Sequence, residues 1–211
     1  MNKINTLCFI KLLPLGLVLL IWGCKKEDTK APLITLNGSE TMVISLQGTY
    51  TEPGATVSDE GDADASLIIS GYVNTNYTAT YTITYIATDK EGNRSSLNRK
   101  IIVKNDAEAL AGAYSIAGTL NYTDTVSVSK TLNNRIHFAK FSNHASNAFI
   151  HADVLGPTVT LPSQTAVQVG TPAADRTFTG SGSITSGGFT LNYTEAANGA
   201  TSNVAVTYTK Q

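Results

Sequence analysis

Tyr77-Thr78-Ala79-Thr80-Tyr81-Thr82-Ile83-Thr84-Tyr85-Ile86-Ala87-Thr88 alternates without a break. Tyr77, Ala79, Tyr81, Ile83, Tyr85 and Ala87 fall on one face, with mainly threonines on the other. Successive strand residues point to opposite faces of a sheet, so this period predicts a half-buried antiparallel strand. Asp89-Lys90-Glu91-Gly92-Asn93 follows as a hairpin turn, and Asn98 to Lys104, carrying Ile101 and Val103, is the return strand. Earlier strand candidates are Leu33–Leu36, Met42–Leu46 and Leu67–Tyr72.

The rest of the chain has the same character. Thr, Ser, Asn, Val and Tyr are abundant and helical periodicity is scarce, which favours sheets. Lys and Arg number 15 against 16 Asp and Glu. No basic patch forms, so no nucleic-acid partner is expected.

The first 23 residues have the layout of a secretory signal. Lys3 and Lys11 supply positive charge, and Leu12 to Trp22 is an uncharged, mostly apolar run. That run is shorter than the roughly 20 residues a spanning helix needs. It ends in Leu20-Ile21-Trp22-Gly23-Cys24. This resembles a bacterial lipobox, with aliphatic Ile21, small Gly23 and then the cysteine. The resemblance implies a signal peptide at 1–23 and lipidation at Cys24. One acyl chain binds a membrane only marginally, whereas several anchor firmly. Lys25-Lys26-Glu27-Asp28 follows. Lys26, Glu27 and Asp28 resemble the Lys-acid-acid surface-export signal of Bacteroidetes lipoproteins, which implies lipid-anchored display on the outer membrane, facing the cell surface. Residues 24–31 are then a tether. With Cys8 removed, Cys24 is the only cysteine, so no disulfide, thiol nucleophile or cysteine metal site is expected in the mature chain.

Two β modules follow, at 32–105 and 107–211, with a break at Asn105 to Leu110. Asp106-Ala107-Glu108-Ala109 lacks β-branched residues and suits an exposed connector. In the first module, Ala31-Pro32-Leu33-Ile34-Thr35-Leu36-Asn37-Gly38 leads to Tyr50-Thr51-Glu52-Pro53-Gly54-Ala55 and Asp59-Glu60-Gly61-Asp62. Tyr81 to Asp89, Gly92-Asn93 and Arg99-Lys100-Ile101-Ile102-Val103 complete the series. In this order they resemble the bacterial Ig-like module of surface proteins, also repeated in some pesticidal crystal proteins. The resemblance implies a β-sandwich, no catalysis, and often a spacer role.

The second module offers strand candidates at Gly112–Leu120, Asp124–Thr131, Arg135–Phe141, Ala148–Val154, Thr158–Leu161, Ala166–Val169, Thr177–Ile184, Phe189–Tyr193 and Asn203–Thr209. Turn residues such as Gly156-Pro157, Gly187-Gly188 and Asn198-Gly199 separate them. The expected fold class is therefore all-β: an Ig-like sandwich followed by an antiparallel meander that closes as a barrel, half-barrel or sandwich. Gly112-Ala113-Tyr114, Ile136 to Phe141 and Leu191-Asn192-Tyr193 resemble C-terminal domains of uncharacterised Bacteroidetes lipoproteins, some of them lipocalin-like.

Candidate chemistry is sparse. His137 and His151 should share the outward face of one hairpin, directly opposite each other and near Asp153, while Ile136, Phe138, Ala148, Ile150, Ala152 and Val154 face inward. Two histidines and a carboxylate can hold zinc, but cross-strand polar pairs are commonplace. Asp59, Glu60, Asp62 and Asp64 form an acidic loop that lacks the EF-hand spacing and reads as a solvated turn. Gly180-Ser181-Gly182-Ser183 is not a nucleophile elbow. No phosphate loop or dinucleotide fingerprint occurs. No catalytic residue, metal or cofactor is expected. The expected function is a non-catalytic surface binding module for a glycan or a protein, with Tyr122, Phe149 and Tyr193 as candidate contacts. The alternative is a structural or accessory subunit of an outer-membrane uptake assembly with no small ligand.

Overall fold

The computed structural model describes residues 27–61, 64–144 and 149–211. Cys24, Lys26, Asp62 and Ala148 lie outside the described residues. Among the described residues, no helix is long and apolar enough to cross a membrane.

The first unit is a sandwich of two sheets. β1 (Leu33–Leu36) pairs antiparallel with β3 (Ala55–Ser58). β2 (Thr41–Ser45), β4 (Ser66–Ser70), β5 (Ala79–Thr88) and β6 (Arg94–Lys104) form the other sheet, in the order β2-β6-β5-β4. Ile34, Ile83, Tyr85, Ala87 and Ile101 are its buried core. The alternation expected for β5 therefore sets which face is inside. The strand begins at Ala79, however, and Tyr77 stands exposed before it. Asp89 closes the hairpin by accepting from the backbone N–H of Asn93 at 2.8 Å. β3, Ala-Thr-Val-Ser, is not among the strands expected from the sequence.

One charged pair is built into this sandwich. Arg99 is fully buried. Its guanidinium donates to the carbonyls of Asn37 (2.8 Å) and Gly54 (3.1 Å) and lies 3.5 Å from the Glu52 carboxylate. Glu52 also accepts from the hydroxyls of Tyr50 and Tyr85 and from the Gly54 N–H. The Tyr-Thr-Glu-Pro-Gly stretch is thus a clasp that ties one sheet's turn to a strand of the other. A buried charge needs such partners, and of this guanidinium's nitrogens Nε alone is left without one.

The second unit is a closed barrel. β7 (Gly112–Gly118), β8 (Tyr122–Val128), β9 (Arg135–Phe138), β10 (His151–Leu155), β11 (Thr158–Val169), β12 (Ala174–Thr185), β13 (Gly188–Ala197) and β14 (Ala200–Lys210) close in the order β10-β11-β12-β13-β14-β7-β8-β9. Of the closures left open by the sequence, the barrel is the one formed. The nine expected strands are eight, because Thr158–Leu161 and Ala166–Val169 belong to one strand. The ladder slips between Leu161 and Gln164, where Pro162 has no N–H to give. On the opposite edge of β11, Gln164 extends the contact with β10. Its side-chain amide accepts from the N–H of His151 (3.0 Å) and donates to the His151 carbonyl (2.7 Å), as a facing strand would.

Sharp coiling of β12 against β13 is permitted by glycine. A Cβ on Gly182 would lie 1.7 Å from the carbonyl oxygen of Thr190, and one on Gly180 would lie 2.2 Å from that of Asn192. The Gly-Ser-Gly-Ser run is therefore a barrel corner, the role glycine takes where two backbones approach closely.

The connector differs from expectation. Asp106, Glu108 and Ala109 are exposed, but Asn105, Ala107 and Leu110 are buried. Glu108–Leu110 forms a single 3-10 turn. Asn105 donates to the carbonyls of Ser129 and Leu132 (2.9 Å each) and accepts from the N–H groups of Ala107 (2.9 Å) and Asn134 (3.0 Å). An amide with two donors and an acceptor can organise three separate backbone segments at once. The link is a hydrogen-bonded joint rather than a bare exposed tether.

Candidate functional site

An eight-stranded barrel is wide enough either to fill itself with side chains or to hold one small ligand. This one is filled. Phe189 stacks on Tyr208 with centroids 4.5 Å apart, and Tyr114 meets Phe189 edge-on at 5.4 Å. Phe141 packs against Phe138 (4.9 Å), Phe178 (5.1 Å) and Tyr193 (4.8 Å). The sequence placed Phe141 at the end of a strand. Instead β9 stops at Phe138, and the chain turns back so that Phe141 plugs the barrel from one end. These rings occupy the barrel's interior.

A polar network fastens the plug. Ser142 sits in the left-handed region, at φ 54° and ψ 30°. Its hydroxyl donates to the Glu195 carboxylate (2.7 Å) and accepts from the Tyr193 hydroxyl (3.0 Å). Glu195 also meets Arg176 (2.7 Å) and His144 Nε2 (3.1 Å). Serine, histidine and an acid in one cluster invite comparison with a catalytic triad. In a triad the histidine stands between the serine and the acid and takes the serine proton. Here Ser142 and His144 both bond the same carboxylate, so the histidine does not stand between the serine and the acid. The arrangement holds a loop; it does not activate a nucleophile.

Burial pushes the Glu195 carboxyl up, but donation from Ser142, Arg176 and His144 outweighs it and holds the group below its ordinary value of 4.5. A carboxylate whose folded pKa is depressed stabilises the fold above its unfolded pKa, and that stability is lost as pH falls through the folded value. Glu195→Gln should therefore lower the melting temperature of the barrel at neutral pH. The difference from wild type should shrink as pH drops below about 4.5. Melting curves across that range check it, and a constant difference at all pH values would remove the plug role.

The other sequence candidates are placed as follows. His137 and His151 are cross-strand partners, as expected, with ring centroids 6.1 Å apart. Between them, Phe141–Asn143 forms a 3-10 turn. Asp153, the carboxylate placed near the histidines, is clamped by Arg135 through two bonds of 2.7 and 2.9 Å. Burial, with Arg135 nearby, pushes both imidazoles below their ordinary value. In the acidic loop, Glu60 pairs with Lys30, and Asp64 pairs with Lys90 at 3.3 Å. Ile136, Phe138, Ile150, Ala152 and Val154 are buried as expected. Of the three aromatic contacts, Tyr193 is core, Tyr122 is half-buried with its hydroxyl in the plug network, and Phe149 is 81% exposed.

Phe149 marks one surface cleft, with His151, Gln164, Thr165 and Val167 on its walls. A second cleft of about 420 Å³ opens on the outside of β12–β14, bounded by Thr119, Thr179, Asn192, Thr194 and Asn203. Its lining carries no charge, and threonine and asparagine groups stand there beside apolar surface that includes Ala205 and Val204. No motif in the sequence flagged it, because single threonines and asparagines on a solvent face look like ordinary strand surface.

Residues 34–103 match the family model described as bacterial surface protein, Ig-like domain. A crystal structure of the lipoprotein BT2262 from Bacteroides thetaiotaomicron is similar, with a TM-score of 0.35 and 17% identity over 85% of this chain and 100% of that one. No curated protein matches the chain. An Ig-like domain of the bacterial surface type fits a surface protein without catalysis.

Proposed function

We propose that this chain is a lipid-anchored protein of the outer membrane, displayed on the cell surface, whose sandwich is a spacer and whose barrel binds a glycan or protein on its outer wall. The observation that carries this reading is the filled barrel. Phe138, Phe141, Phe178, Phe189 and Tyr208 are buried together inside it, so a ligand meets the barrel from outside. The surface-type Ig-like match at 34–103 supports the location and the spacer role. The lipobox-like ending at Cys24 and the Lys26-Glu27-Asp28 run support the anchor and its outward orientation.

Cys24→Ala is expected to abolish incorporation of a clickable fatty acid in cells. Equal labelling of mutant and wild type would refute the anchor. Replacing Lys26, Glu27 and Asp28 together with alanine should keep the lipid label but lose display. Protease added to intact cells would then digest the wild type and spare the variant; equal digestion would reduce those residues to a tether.

A further inference from the structure

The strands from β11 to β14 carry almost no charge. Thr177 to Thr194 and Ala200 to Thr209 contain no Asp, Glu, Lys or Arg. Protein surfaces ordinarily devote roughly a quarter to a third of their residues to charges, for solubility. Here the charges stand at the strand ends, as Asp175, Arg176, Glu195 and Lys210, or on the neighbouring strands β9 and β10, as Arg135 paired with Asp153. The outward residues between are mostly Ser, Thr and Asn, with Val167, Gln168 and Ala205 among them.

Such a wall discriminates by what it lacks. An anionic polymer or an acidic peptide would find no counter-charge on it. An apolar ligand would find hydroxyls and amides to desolvate. A ligand that is uncharged and rich in hydroxyl groups matches it, since Thr and Asn side chains both donate and accept. The row is regular. Thr179 faces Thr194 across one pair of strands, and Thr194 faces Asn203 across the next. Neighbouring strands lie about 4.8 Å apart, so the row presents evenly spaced polar groups. The cleft around it, about 420 Å³, lies within the roughly 300–1,000 Å³ of ordinary ligand sites.

The wall also has an aromatic end. Thr165 and Thr177 share a hydroxyl hydrogen bond of 2.8 Å and continue the polar strip from β12 onto β11. Beyond them lie Val167, 63% exposed, and Phe149. Phe149 has φ 48°, in the left-handed region that bulky residues rarely adopt. The backbone holds its ring outward, although burial would ordinarily be favoured. The C–H face of a pyranose is apolar and flat, and an exposed ring is the surface on which it stacks.

We propose that a neutral polysaccharide binds across this wall, with one sugar on Phe149 and another in the cleft at Asn192 and Asn203. The proposal rests on the reading of the barrel as the binding module and names the class of its ligand. Calorimetric titration of residues 25–211 with soluble neutral polysaccharides (a β-glucan, an α-glucan, a mannan, a xylan) and with anionic polygalacturonate tests it. At least one neutral polymer should bind and polygalacturonate should not. Phe149→Ala and Asn203→Ala should each weaken binding about tenfold or more, while Thr125→Ala on β8 leaves it unchanged. All three positions are exposed, so unchanged melting curves are expected and certify the variants. Absence of binding to every neutral polymer overturns the proposal. So does a preference for polygalacturonate, or indifference to both wall substitutions. Binding that survives both but is lost in Tyr72→Ala would place the ligand on the sandwich and overturn the barrel reading as well. A protein ligand captured by the barrel without any glycan affinity would overturn the ligand class alone.

Discussion

Arg99→Ala is expected to unfold the sandwich, with a loss of about 3–5 kcal/mol, the range for breaking a buried charge pair by removing one partner. The side chain is fully buried, and its deletion leaves the carbonyls of Asn37 and Gly54 without their donor. It also leaves Glu52 without its cation, held only by Tyr50, Tyr85 and the Gly54 N–H. Burial alone would raise the Glu52 carboxyl; the tyrosine, backbone and Arg99 contacts together hold it below its ordinary value. The same clasp pushes Tyr85 up to about 12, chiefly through burial and then through its bond to Glu52. Guanidinium denaturation of residues 25–211 should show the sandwich transition displaced or absent, with the barrel transition retained. A change below about 1 kcal/mol would mean that Arg99 is tolerated rather than required.

Gly182→Ala should disrupt closure of the barrel by about 3 kcal/mol or more, beyond ordinary overpacking. The added methyl would sit 1.7 Å from the Thr190 carbonyl oxygen and 3.0 Å from the Leu191 Cα, against backbone that has no rotamer to escape through. Strands β12 and β13 would have to separate, and with them the wall that carries Thr179 and Thr194. The loss should appear as a lowered barrel melting temperature and weakened near-ultraviolet dichroism from the interior rings. A variant that melts with the wild type would show that the corner is looser than its geometry indicates.

The sandwich was legible because its signals are local. The alternation of Ile83, Tyr85 and Ala87 fixes a face within one strand, and Asp89 with Asn93 fixes the turn beside it. The register of His137 on His151 was legible for the same reason, since inward parity on both strands admits few pairings. Three features were not. Phe141 reads as one more apolar strand residue, and only the closed barrel reveals that it fills a hole. Pro162 reads as a strand break, whereas β11 runs through it and Gln164 joins His151 of β10 by a contact that no local period encodes. Asn105 reads as the start of an exposed linker, yet its amide is satisfied by loop backbone from Ser129 to Asn134. The candidate wall was least legible of all. Its signal is an absence of charge shared by strands far apart in sequence, and it appears only when β11 to β14 lie side by side.

The central claim is that the barrel takes its ligand on the outside, with the sandwich as spacer. Chemical-shift mapping tests it most directly. Isotope-labelled residues 25–211 would be titrated with the neutral polysaccharide that binds, cut to short oligosaccharides. The account expects shifts concentrated at Phe149, Asn192, Thr194 and Asn203, with the interior rings of Phe178 and Tyr208 and residues 34–103 unmoved. Shifts centred on Phe178 and Tyr208, or on the sandwich, would contradict it.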